Sequence, residues 1–157
     1  MKIVKSILVF ALIALIMIQF VRPERNDAGY ESIAFFEAET KPSETTSAIL
    51  KKHCYDCHSN QTTYPWYAEF SPANYWLDEH IKDGKKHFNA SLWEDYSIKK
   101  RDHKLEELIE MVENGEMPLN SYTWLHGELP EDEKQQLLQW ANLTRLQYRS
   151  QIEVSMK

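Results

Sequence analysis

Glycine is scarce in this chain, with four residues among 157, at positions 29, 84, 115 and 127. They lie too far apart to build a phosphate-cradling loop, which disfavours nucleotide chemistry. No segment alternates apolar and polar residues for long enough to suggest a strand, and there is no internal repeat or low-complexity tract. Cysteine is scarcer still: Cys54 and Cys57 are the only two, so a multi-disulfide framework is out of reach. Positive charge is also in deficit. Residues 28–157 hold 14 Lys and Arg against 22 Asp and Glu, so 14 − 22 = −8, and nucleic acid is not an expected partner.

What is present fits one modest helical domain, since 43% hydrophobic and 27% charged residues are ordinary globular values. The first residues differ from the rest. Ser6 to Val21 carries no charge, follows Lys2 and Lys5, and runs into Gln19, Phe20, Val21 and Arg22 without the small residues of a cleavage site. Sixteen residues of helix reach about 24 Å against a ~30 Å hydrocarbon core. The expectation is an uncleaved membrane anchor over 1–22, a partly packed linker over 23–43 and a functional domain over 44–157. The lysine-bearing end would stay inside and the domain would lie outside a bacterial inner membrane, on the periplasmic side.

Within the domain, Thr45 or Thr46 is placed to cap a helix through Ile49 and Leu50. Pro72 opens a second, expected to end at Gly84, and Asp102–Glu113 presents Leu105, Leu108, Ile109 and Val112 on one face before the stop at Asn114-Gly115. A last helix opens at Pro130 behind Glu131, Asp132 and Glu133 and presents Leu137, Trp140, Ala141 and Thr144. The fold class is all-α. Basic runs at Lys82, Lys85, Lys86 and at Lys99, Lys100, Arg101, Lys104 read as solvated faces in preference to a patch for an acidic partner.

The two cysteines stand in "KKHCYDCHSN", Lys51 to Asn60. A structural zinc site needs a second close pair of ligands, which is missing, and a thioredoxin-like redox pair needs a strand and helix context that the surroundings lack. Covalent haem uses every residue of the motif. Cys54 and Cys57, three apart on a helical turn, can form thioethers with the two vinyl groups, and His58 can bind the iron from below. The aromatic stretch after the motif supplies candidates for contact with the ring: Tyr64, Trp66, Tyr75 and Trp76, with Trp93 further on.

The sixth iron position decides what such a haem does, because a thioether there favours electron transfer and an open position favours gas or peroxide chemistry. Met117, on the loop after Asn114-Gly115 and stiffened by Pro118, is the expected distal ligand. Met111 reads as core, and His80 and His126 are the rival ligands. Electron transfer to a protein partner is the leading reading. A haem-based sensor of small gases is the alternative, and a peroxidase is a third.

"CYDCHSNQTTYPWYAEFSPANYWLDEHIKDGKKHFNASLW" followed by "GEMP" and a later Trp resembles the small haem-binding domain family of membrane-anchored bacterial proteins. The resemblance runs through Ser59-Asn60, Tyr64 to Tyr67, Pro72, Gly84-Lys85, Asn89 to Trp93, Met117-Pro118, Tyr122, His126 and Trp140. It covers about residues 45 to 142. Leu119 and Gly127 stand where the family often has proline. The resemblance implies an all-α, cytochrome c-like domain with haem c on Cys54 and Cys57, His58 as axial ligand, and a location outside the inner membrane.

Overall fold

The described residues, 2–156 of this computed structural model, contain eight helices, the longest of which in the domain follow amphipathic segments; Met1 and Lys157 lie outside the described residues. They are α1 (Lys2–Ile18), α2 (Ala34–Thr40), α3 (Glu44–His53), α4 (Tyr55–His58), α5 (Ala73–His87), α6 (Ile98–Glu113), α7 (Asn120–His126) and α8 (Glu131–Ser155). Three short 3-10 turns sit between them, at Tyr30–Ile33, Trp66–Glu69 and Ala90–Asp95. The all-α expectation for the domain agrees with this architecture.

The expected stripes bury as the spacing predicts. Leu105, Ile109 and Val112 of α6 meet the core beside Leu137, Leu138 and Ala141 of α8. These two helices run antiparallel, since Asp102 pairs with Arg145 at 3.0 Å while the Glu113 carbonyl accepts from Lys134 at 3.2 Å. Phe36, fully enclosed, sits at the centre of an aromatic cluster, with edge-to-face contacts to Tyr55, Phe88, Trp93 and Trp140. It comes from α2, so the 23–43 segment contributes to the core as well as connecting. Trp140 Nε1 donates to the Thr40 carbonyl at 3.0 Å and ties α8 to the end of that same helix.

Three expectations are corrected. The cap of α3 is Ser43, whose hydroxyl accepts from the Thr46 N–H at 3.1 Å, and Thr46 instead lies in the first turn. Helix α5 continues past Gly84 to His87, because Gly84 serves close packing rather than a stop. The N-terminal membrane anchor, with the inner-membrane location built on it, is also overturned: no helix among the described residues is long and apolar enough to cross a membrane. The apolar run is not all helix. α1 stops at Ile18, and Gln19 turns the chain by exchanging hydrogen bonds with Ser71, donating to its carbonyl at 3.0 Å and accepting from its N–H at 2.9 Å.

From there the chain runs along the domain. Arg22 and Arg25 pair with Glu69, and Asp27 forms an antiparallel bridge with Gln61. Asn26 accepts at its carbonyl from Thr62 N–H, and Ala28 N–H donates to the Asn60 carbonyl, both at 2.8 Å. Residues 22–28 are thus a strap across the loop that follows His58. The basic runs are largely occupied locally: Lys82 pairs with Asp78, Lys85 donates to Asn26, Lys104 pairs with Glu107, and Lys100 lies over the Tyr96 ring.

Glycine 84 is where α5 meets α4. A Cβ added there would lie 2.7 Å from the Cys57 carbonyl oxygen and 3.1 Å from Cys57 Cβ. In an open helix Gly→Ala stabilises by about 1 kcal/mol. Here Gly84→Ala is expected to cost about 1–3 kcal/mol by overpacking, read as a lower urea midpoint; an unchanged or raised midpoint would show that α4 does not sit as described.

Candidate cofactor site

Helix α3 ends at His53, and Cys54, with φ −125° and ψ −48°, breaks the chain direction before the single turn of α4. That turn is closed by the Cys54 carbonyl, which accepts from Cys57 N–H at 3.2 Å and His58 N–H at 2.9 Å. Cys54, Cys57 and His58 therefore come from one turn, as the spacing predicts. The two thiols are free. Burial pushes Cys54 up to about 12 and Cys57 up to about 11, with the neighbouring Asp56 charge adding to both. Thiols held neutral in this way are not poised for thiolate redox chemistry. No group of three or more His, Cys, Asp or Glu side chains converges as metal ligands among the described residues.

His58 is fixed from the other side. Its Nδ1 lies 3.1 Å from the Phe88 carbonyl. A carbonyl only accepts, so Nδ1 carries the proton and Nε2 keeps its lone pair. Desolvation lowers the imidazole pKa, outweighing the opposing pull of the Phe88 and Gly84 carbonyls, and keeps it neutral as a metal ligand must be.

The residues after the motif hold this geometry. The fully buried Ser59 hydroxyl donates to the Tyr55 carbonyl and accepts from Gln61 N–H. Asn60 N–H donates to Ser91 Oγ at 2.9 Å, and Asn89 Nδ2 donates to Asn60 Oδ1 at 3.2 Å. From the strap, Asn26 Nδ2 donates to the Ser59 carbonyl and Thr62 Oγ1, both at 2.9 Å, while its Oδ1 accepts from Lys85 Nζ.

The candidate aromatics separate by place. Tyr64 accepts from Asn26 N–H at 2.7 Å and carries the Arg25 guanidinium 4.2 Å over its ring, so it anchors the strap. Tyr75 likewise donates to the Val21 carbonyl. Trp93 is fully buried among Phe36, Phe88 and Tyr96 and donates to Tyr148, one layer behind His58. Trp66 is 76% exposed and Trp76 41%. Trp76, His80 and Gly84 lie at i, i+4 and i+8 on the face of α5 that reaches Cys57, with the His80 ring 4.3 Å from that of Trp76.

Two of the three distal candidates, Met117 and His126, lie on one segment, while His80 stands apart on α5. Met117, half-buried on the turn after α6, packs against the core cluster, as Cys54 does. His126 ends α7, its Nε2 3.2 Å from the Tyr67 hydroxyl and its ring stacked on Tyr122 at 4.1 Å. Tyr122 in turn reaches Asp56, inside the motif itself. Phe88, Asp56, Tyr67, Tyr122 and Asn26 were not singled out as site residues from the sequence. Phe88 acts through its backbone carbonyl, which leaves no side-chain signature, and Tyr122 was visible only as part of the family pattern.

These residues fit a covalently held haem. Two neutral thiols three apart and an imidazole with Nε2 free make donors, and the exposed Trp66, Phe70 and Trp76 on the segments that follow make uncovered apolar surface of the kind a flat apolar ring would shield. A family model described as a haem-binding domain matches residues 13–143. No curated protein and no solved structure matches the chain.

Burial sets one pH response. The His53 side chain is fully enclosed, with Nε2 3.1 Å from Glu133 and Nδ1 without a partner. Desolvation lowers its pKa below the ordinary 6.5 despite Glu133. The unfolded chain then binds more protons, so this stability is present above about pH 6.5 and is lost as pH falls through the folded value. Urea midpoints are expected to drop on acidification below that point, and His53→Gln to shrink the drop; an equal drop in the variant would assign it elsewhere.

Proposed function

We propose, because this chain belongs to the haem-binding domain family, that the haem it binds is a single haem c held by thioethers from Cys54 and Cys57, with His58 as the proximal ligand. The observation that carries this reading is the pairing of two free, neutral thiols on one turn with an imidazole whose Nδ1 is committed to the Phe88 carbonyl. When bound, the group supplies an iron that cycles between two oxidation states by one electron.

The chain's own residues do the rest. Phe88 fixes the tautomer and plane of His58, which raises the basicity of Nε2. Gly84 lets α5 press on the Cys57 backbone, which holds the turn that carries the thiols against that helix. Trp66, Trp76 and the 3-10 turn at Trp66–Glu69 are the residues that would exclude water from the ring, and Met117 the one that would supply the second iron ligand. The function we infer is single-electron transfer to a redox partner protein, with the exposed aromatic rim as the edge that a partner approaches.

A second reading, binding of a small gas at an open or displaceable distal position, is favoured by one feature: α7, next to Met117, buries none of its residues. Carbon monoxide separates the two. The dithionite-reduced protein is expected to give a sharp low-spin c-type spectrum that carbon monoxide leaves unchanged, and Met117→Ala to bind the gas readily. Rapid binding by the unaltered protein would remove Met117 from the distal position and favour the gas-binding reading.

A further inference from the structure

Helix α7 is held to the domain by polar contacts rather than by a buried stripe. None of its seven residues is buried, and Trp124 is 84% exposed. It is flanked by Gly115 and Gly127, at φ 72° and 85°, where a Cβ would meet nothing within 4 Å. Glycine stands there for the left-handed backbone, not for space.

The contacts that hold it converge on Tyr122. Its one hydroxyl proton is shared between two acceptors, the Lys52 carbonyl at 2.8 Å and Asp56 Oδ2 at 3.0 Å. Both acceptors flank Cys54: one is a carbonyl left open at the end of α3, the other lies between the two cysteines. Asp56 is itself held, since its Oδ1 accepts from Thr63 N–H at 2.8 Å. On the other side the Tyr122 ring lies parallel to that of His126, 6° between planes, and His126 meets Tyr67. One phenol thus connects the segment that carries Met117 and His126 to the turn that carries Cys54, Cys57 and His58.

We propose that Tyr122 is a positioning residue for the haem: it registers residues 117–126 on the CxxCH turn, and so sets which group of that segment faces the iron and how readily an external ligand reaches it. This rests on the reading that residues 54–58 hold the haem. Tyr122→Phe keeps the ring and its stacking on His126 but removes the shared hydrogen bond to Lys52 and Asp56, and the segment is then free to swing about Gly115 and Gly127.

The test uses the full-length, haem-loaded protein and Tyr122→Phe, with Trp124→Ala, a solvent-facing change on the same helix, as control. Loss of a bond of about 1 kcal/mol is expected to raise amide hydrogen exchange across residues 118–127 about fivefold or more. It should also speed carbon monoxide binding to the reduced protein and alter the low-spin spectrum, while haem content and the urea midpoint of the core stay near those of the unaltered protein. Trp124→Ala should leave exchange and spectrum unchanged. Equal exchange and equal carbon monoxide rates in Tyr122→Phe, or equal effects from Trp124→Ala, would overturn the proposal. Faster exchange with an unchanged spectrum would show that Tyr122 docks α7 without positioning a ligand, and would also count against it. The exchange measurement does not depend on where the haem is tethered, so a failure of the tethering reading is seen separately, as haem that a denaturant releases.

Discussion

The hydrogen bond from His58 Nδ1 to the Phe88 carbonyl, 3.1 Å long, joins the CxxCH turn to the end of α5 and the aromatic core. Phe88 closes α5 with its N–H on the Gly84 carbonyl, and its ring lies in the core against Phe36 and Trp93. One residue therefore anchors a helix end, fills the core and fixes the plane of the imidazole. The orientation of His58 is as rigid as the aromatic cluster, because moving one requires moving the other. Gly84 adds the second constraint by admitting the Cys57 backbone to within contact of α5.

Around that seat the chain is arranged so that each side of the CxxCH turn has its own support. The 22–28 strap and the Asn89–Ser91 pair hold the loop behind His58, while α7 and the turn at Trp66–Glu69 approach from the side of the thiols. The first set is dense in hydrogen bonds around buried groups, and the second leaves large aromatic surfaces in water. On the reading that this turn holds the haem, a bound ring would cover those aromatic surfaces, and that burial is where its contribution to stability would lie.

What the sequence made legible was local. The single turn that carries Cys54, Cys57 and His58 was readable because it depends on spacings of three and one, and the stripes of α6 and α8 because helical periodicity is local too. The supports were not readable, because they depend on chain reversals that bring residues 26, 88 and 122 to residues 52–62. Trp93 is indistinguishable from a surface tryptophan until the core closes around it, and its place is behind the histidine. The anchor expectation failed at Gln19, whose amide is drawn to Ser71 and ends the helix short; nothing in the apolar run itself signals that turn.

The account stands on covalent attachment at one turn. Intact mass of the purified full-length protein under denaturing conditions tests it most directly. The account predicts a single species heavier than the polypeptide by one haem, reverting to the polypeptide mass when Cys54 and Cys57 are both replaced by serine. A protein that shows haem absorbance when folded but only the bare polypeptide mass when denatured would contradict it.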